Sequence, residues 1–316
     1  MVALTVIVPI FNGERHLAAT LDSLVQQGVD LDVLVIDDGS TDGGAQIARH
    51  HAVAARVLTQ QNLGVAAARN RGLAEATSRY VAFLDQDDLW HQSHASTLLA
   101  TLRSTGAVAV AARERTFALE SDRSALLLIG DNRSAWPDFW IEEGAEANLA
   151  ASEAEGSDPF DPDTLTVDCL LGAPQSKTTS YIYNRVAAIA AGGCCPVPRA
   201  LDDHILNLSI ARMYGPIPRL GGPTVFYRVH PAATTIVSPL AGPYLTMLLA
   251  LRYGRAFPRI ASLTSYTEHL LRQLPDSDLS RVEQIALLTL VVPRGERALW
   301  WARWMKATAR KASSPR

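Results

Sequence analysis

Three apolar runs, Leu4 to Ile10, Leu31 to Ile36 and Tyr80 to Leu84, are too continuous for strands with one wet face, and each stops at a polar cluster. Strands apolar on both faces belong in a sheet covered on both sides, the situation of parallel sheets. The segments between them read as helices. Leu17, Leu21, Leu24 and Val25 recur at helical spacing within Glu14 to Gln27, a short helix reaches about His51, and Val65 to Thr77 is rich in Ala. Arg56 to Leu58 reads as a short strand, and Ala107 to Ala112 as another, after a helix ending near Ser104. The alternation predicts an α/β fold with a mostly parallel sheet and helices on both faces.

In such sheets the ligand crevice lies beyond the carboxyl ends of the strands. Pro9-Ile-Phe11, Asp37-Asp38 and Asp85-Gln-Asp-Asp88 all fall at strand ends, so three strands deliver functional-looking residues to one rim. Asp85, Asp87 and Asp88 repel one another unless a cation, a hydroxyl or solvent compensates them. Hard divalent cations take oxygen ligands, and Mg2+ uses one or two carboxylates plus substrate phosphates, so a metal–diphosphate site fits this string. A solvated loop or a helix N-terminus fits it equally well when it is read alone. Asp38-Gly-Ser-Thr-Asp42 likewise reads as a turn and N-cap as readily as a binding edge.

The chain has 316 residues, 48% of them hydrophobic, and a net charge of -3, which lacks the basic excess of a nucleic-acid binder. Its three cysteines, two of them adjacent, fit a reducing compartment. Met1 to Ile10 has no basic region ahead of it and is short for a signal peptide, and Tyr244 to Leu251 is too short to span a bilayer, so a cytoplasmic protein is expected. From Ser134 to Ser176 there is no Lys or Arg against ten Asp and Glu, the composition of an insertion, with Trp136 to Trp140 as a sugar-stacking surface or a hydrophobic anchor. Order resumes with a strand at Thr178 to Tyr183, a helix from Arg185, a helix opening at Leu201 to Leu206, and an alternating strand Val225 to His230. Asp202 and Asp203 favour a helix dipole whatever else they do. Helices are expected at Tyr244 to Arg252, Ile260 to Leu274 and Leu279 to Val291. The tail from Arg294 to Arg316 has seven Lys or Arg against one Glu, with Trp300, Trp301 and Trp304 at its centre. Its tryptophans fit either an anionic membrane surface or packing on the domain or a partner subunit.

Taken in order, Val6-Ile-Val-Pro-Ile-Phe-Asn12, Val35-Ile-Asp-Asp-Gly-Ser-Thr-Asp42, Asn62-Leu-Gly-Val-Ala-Ala-Ala-Arg-Asn70 and Phe83-Leu-Asp-Gln-Asp-Asp-Leu-Trp90 resemble glycosyltransferase family 2. The resemblance returns at Ala190 to Gly193, Asp202-Asp203 and Tyr227 to His230, and ends near Ser238. It implies a GT-A fold, Rossmann-like, over residues 1–238, with the acidic insertion inside it; the helical extension over 239–316 is read from the sequence pattern and lies outside the resemblance. It also implies a nucleotide-diphosphate sugar donor, UDP-sugar foremost, and inversion at the anomeric carbon. By the same resemblance Pro9, Phe11 and Asp38 lie at the base-binding end and Arg69 faces the nucleotide. Asp85 is nearer the ribose, and Asp87, with Asp85 and His230, is on the Mg2+ or Mn2+. Asp203 would be the catalytic base, with Asp202 as its alternate. The acceptor is a hydroxyl of a saccharide, a lipid-linked intermediate or another glycoconjugate precursor.

Gly193-Cys-Cys-Pro-Val-Pro198 departs from the Phe-Asp-Glu type sequence that commonly precedes the acidic pair. The Gln-x-x-Arg-Trp motif and membrane helices of processive members are missing, so transfer of a single sugar is expected. A nucleotidyltransferase would need a basic Gly-rich loop where Pro9-Ile-Phe-Asn-Gly13 stands. A catalytically silent membrane-surface or assembly module is the reading from another class, and the joint presence of Asp38, Asp85, Asp87 and Asp203 argues against it.

Overall fold

The computed structural model describes residues 2–119, 140–142, 163–172, 176–195, 202–232, 281, 284–285, 288, 292, 295 and 297–313. Most of the acidic insertion, residues 196–201, and the helices expected at Tyr244 to Arg252 and Ile260 to Leu274 lie outside them, as does most of Leu279 to Val291. The described chain runs β1 (Leu4–Ile10), α1 (Glu14–Asp22), β2 (Leu31–Asp37), α2 (Gly44–His50), β3 (Arg56–Thr59), α3 (Val65–Glu75) and β4 (Tyr80–Phe83). Then come β5 (Leu89–Trp90), α4 (His94–Thr105), β6 (Ala109–Leu119), β7 (Trp140–Glu142), β8 (Thr164–Leu165), α5 (Val167–Gly172) and a 3-10 turn at Thr178–Ser180. The remaining elements are β9 (Tyr181–Asn184), α6 (Arg185–Ala190), α7 (Asp202–Tyr214), β10 (Ile217–Arg228) and α8 (Arg297–Ser313).

The strands lie in the order β3-β2-β1-β4-β9-β6-β10-β5, with β7 beside β6 and β8 beside β10. The first four are mutually parallel. β9 then enters antiparallel between β4 and β6, and β10 returns to parallel beside β6. The α/β architecture expected from the apolar runs is therefore present, with β9 reversed where the chain crosses to its second half and the short β5 and β8 antiparallel to β10.

β1 shows why both faces had to be apolar. Leu4, Val6, Val8 and Ile10 pack with Leu17, Leu21, Leu98 and Leu102 in one layer, while Ile7 packs with Ala68 and Leu73 in the other. Full burial of one such side chain contributes about 1.5–3 kcal/mol. Helix α3 lies so close that a Cβ on Gly72 would sit 2.3 Å from Ile7 Cγ2. That approach carries Arg69 and Asn70 of α3 to the ends of the central strands.

Several elements differ in extent from the sequence reading, β10 and the strand at Thr178 to Tyr183 among them, and α1 and β6 show the local causes. α1 stops at Asp22 because the chain beyond it is held by a side chain: buried Gln27 donates to Ser23 O and His91 O and accepts from Ala95 N. β6 continues to Leu119, past the apolar run, because its polar residues are paired. Arg113 donates to Leu220 O and Asp163, and Glu114 accepts from Ser180 Oγ and Lys177 N.

The tryptophans of the basic tail are core residues. Trp300 and Trp304 on α8 are buried in the layer that contains Leu206 and Leu208 of α7, and Trp304 Nε1 donates to Gln284 Oε1 at 2.7 Å. Leu299, Arg303, Met305 and Lys306 remain exposed. Among the described residues, no helix is long and apolar enough to cross a membrane.

Candidate active site

The chain leaves β1 toward β2 and reaches β4 on the other flank of β1, so the sheet order reverses between β1 and β4. Such a switch point opens a crevice beyond the strand ends. Gln86 spans it. Phe11 N donates to Gln86 Oε1 at 2.9 Å, Gln86 Nε2 donates to Phe11 O at 3.3 Å, and Thr20 Oγ1 donates to Gln86 O at 2.8 Å. Pro9 is buried in β1, and Phe11 is left 44% exposed at the rim.

The turn after β4 divides its carboxylates between separate partners. Asp85 receives Nη2 of Arg69, and Nη1 of the same guanidinium lies 2.9 and 2.8 Å from the two oxygens of Asp202. Asp87 Oδ2 is 2.9 Å from His230 Nε2, and its backbone oxygen accepts from Arg228 Nε at 2.8 Å. Asp88 is fully buried, accepts from Arg228 N through Oδ1, and leaves Oδ2 without a partner among the described residues. Arg69 stays charged because the carboxylates of Asp202 and Asp85 more than offset its desolvation. Burial first, and then repulsion from Asp87, hold Asp88 well above the usual carboxylate range, and burial raises Asp85 in spite of Arg69.

His16 of α1 completes this wall. It is buried, its ring centroid is 4.9 Å from that of His230, and its Nε2 has no partner. Burial first, with Arg228 and His230 adding to it, lowers its pKa to about 4, so it is neutral near pH 7. The sequence reading passed over His16, Gln86 and Arg228. Arg228 stood inside a quoted motif; His16, within an apolar helical face, had no signal of its own.

Asp38 is turned toward its own side of the rim. Its carboxylate accepts from Gln60 Nε2, Leu63 N and Gly64 N at 2.8, 2.9 and 2.8 Å, which fixes the loop into α3. Asp37 accepts from Ser40 N at 2.9 Å and closes the turn between them. These bonds explain the local sequence: Asp37-Asp38 ends a strand and shapes two loops at once.

The adjacent acids of α7 separate. Asp202 is buried and spent on Arg69, whereas Asp203 is half-buried and makes no hydrogen bond among the described residues. Asp203 lies close enough to Tyr181 and Tyr183 to help burial raise both phenols. The structure thus joins Asp85, Arg69 and Asp202 in one network and Asp87 with His230 in a second, and sets Asp38 apart at the end of β2. Among the described residues, no cluster of three or more His, Cys, Asp or Glu forms a ready-made cation cage.

Residues 5–143 match the model of glycosyl transferase family 2. That segment belongs to glycosyl transferase family 2. The family 2 segment is 39% identical over 100 residues to the uncharacterized glycosyltransferase YibD of Escherichia coli, covering 30% of this chain and 29% of that protein. It is 39% identical over 99 residues to glycosyltransferase GlyA of Streptococcus pneumoniae, covering 30% and 14%. The matches thus span less than a third of either relative. At the level of fold, the chain is similar to S. aureus TarS, with a TM-score of 0.58, 14% identity, and coverage of 99% of this chain and 93% of that one. TarS has also been solved in complex with UDP-GlcNAc. The mannosyltransferase PcManGT of Pyrobaculum calidifontis, in complex with GDP-Man and Mn2+, gives a TM-score of 0.56 at 18% identity, covering 98% and 86%. The architecture is that of the GT-A glycosyltransferases.

Proposed function

We propose that the chain transfers one sugar, with inversion, from a UDP-sugar to an acceptor hydroxyl, using Mg2+ or Mn2+. The observation that carries this reading is the division of one acidic turn: Asp85 is fixed by buried Arg69 and Asp87 by His230, at the switch point of the sheet. The nucleotide-sugar complexes of TarS and PcManGT support a donor of the same class.

The donor set suits a hard cation. Asp85 and Asp87 keep 29% and 23% of their side chains exposed, His230 stands beside Asp87, and a bound cation would relieve the repulsion between these neighbouring acids. With no complete cage among the described residues, the remaining ligands would come from the diphosphate, as is usual for Mg2+. Asp87, with Asp85 and His230, would hold the ion, which supplies a Lewis acid for the departing diphosphate. Asp38 holds the wall of the base pocket and retains about one acceptor position for a base N–H. Pro9 and Phe11 form the opposite edge.

Inversion by direct displacement needs one base on the acceptor side. Asp203 is the base in this reading, because both oxygens of Asp202 already serve Arg69. A saccharide, a lipid-linked intermediate or another glycoconjugate precursor would supply the hydroxyl. The test is a panel of UDP- and GDP-sugars with Mn2+, scored by release of nucleoside diphosphate. Release from a UDP-sugar is the expected result; a flat panel without any thermal shift by UDP or GDP contradicts the proposal.

A further inference from the structure

Arg69 and Asn70 are consecutive on α3, yet they hold two different parts of the segment that leads into α7. Asn70 Nδ2 donates to Cys194 O at 2.7 Å, and Asn70 Oδ1 accepts from Cys194 N at 2.8 Å. One side-chain amide thus satisfies both backbone groups of Cys194, as a neighbouring strand would. Eight residues further on, Arg69 holds the carboxylate of Asp202, and Cys195 N donates to Asp202 O at 3.2 Å. Both ends of the segment from Cys194 to Asp202 are therefore tied to the same turn of one helix. Asp203 is the next residue.

Gly193 shows how closely the clamp fits. Its φ is +65°, a region L side chains rarely adopt, and a Cβ there would lie 2.5 Å from Asn70 Oδ1. Cys194 is fully buried, with burial and the Asp202 carboxylate holding its thiol well above the ordinary range. Only an amide of this length both donates to a carbonyl and accepts from the N–H of one residue.

We propose that Asn70 is a positioning residue for the transfer reaction: its amide, with Arg69 beside it, fixes Cys194 and Asp202 so that Asp203 meets the acceptor hydroxyl. This rests on the reading of Asp203 as the base. Misplacing a reacting group by about an ångström costs on the order of a hundredfold in rate, so the effect should fall on turnover, with donor binding spared.

Two measurements test the clamp. In a Cys169→Ser, Cys195→Ser background, Ellman's reagent reports on Cys194 alone and needs no nucleotide. Asn70→Ala should raise its labelling rate at least about tenfold. Hydrolysis of UDP-glucose and UDP-N-acetylglucosamine with Mn2+ should show kcat lowered by roughly a hundredfold, with donor KM and the thermal shift by UDP and Mn2+ within about twofold of the parent. Gly193→Ala pushes on Asn70 from the other side and should reproduce both changes, which keeps the test intact if Asn70→Ala folds poorly. Unchanged Cys194 labelling in both variants would overturn the proposal, as would a loss of donor binding in step with turnover. If the parent neither binds UDP nor hydrolyses a UDP-sugar, the transferase reading fails, and the labelling result still decides whether the clamp exists.

Discussion

Arg69 Nη1 lies 2.9 and 2.8 Å from the two carboxylate oxygens of Asp202, a contact that closes 133 residues of chain and leaves Nη2 for Asp85. A single buried guanidinium therefore joins the end of β4 to the start of α7, which in the proposed reaction are the donor and acceptor sides of the crevice. Removing its charge leaves buried Asp202 and half-buried Asp85 without their counter-ion, and breaking a buried pair in this way costs about 3–5 kcal/mol. Arg69→Met should lower the melting temperature accordingly. Arg69→Lys, which keeps the charge and loses the fork, should fall between it and the parent. Equal stability of all three proteins would show that the bridge is dispensable.

The two acids at the start of α7 should respond in opposite ways. Asp203→Asn is expected to cut turnover by about 10²–10⁴-fold while the thermal shift by UDP and Mn2+ is retained. Asp202→Asn should instead lower stability by unpairing Arg69. If Asp203→Asn leaves turnover unchanged, the base lies elsewhere.

Buried histidines make the fold sensitive to acid. Burial first, and the nearby His91 second, lower the pKa of His94 from 6.5 to about 3; its ring packs 4.2 Å from Trp90, and its Nδ1 meets Thr224 Oγ1 at 2.8 Å. A folded-state pKa below the unfolded one means that the unfolded chain binds the extra proton. Stability is therefore full above about pH 6.5 and is lost progressively as pH falls toward 3, by up to about 3 kcal/mol by pH 4.5. His94→Asn, whose amide oxygen can replace Nδ1, should narrow the gap between melting temperatures at pH 7 and pH 4.5. An unchanged gap would locate the acid sensitivity in other groups, His16 and His204 among them.

Much of this was legible in the chain, for a physical reason. β1, β2 and β4 are buried on both faces, so their apolar runs mark strand and strand end together, and the residues that follow them necessarily line one rim. Partnerships across distant segments left no such mark. Nothing near Asp202 and Asp203 separates the brace from the free acid, since the choice is made by Arg69, far away in sequence. Gln86 looks like a spacer between two acids until its amide is found holding Phe11. β6 and β10 extend past their apolar runs, and in β6 the polar residues are accommodated by partners: Arg113 is buried and Glu114 half-buried, each hydrogen-bonded from a distant segment. The tail reads as amphipathic in sequence, and only the packing reveals that its tryptophans face inward.

In the proposed reaction the turn after β4 holds a cation together with a nucleoside diphosphate. Calorimetric titration of UDP into the parent chain and into Asp87→Ala, each with and without Mn2+, tests it most directly. UDP binding should depend on Mn2+ in the parent and weaken at least about tenfold in Asp87→Ala. UDP binding of equal strength with and without Mn2+, or unaltered by Asp87→Ala, would contradict it.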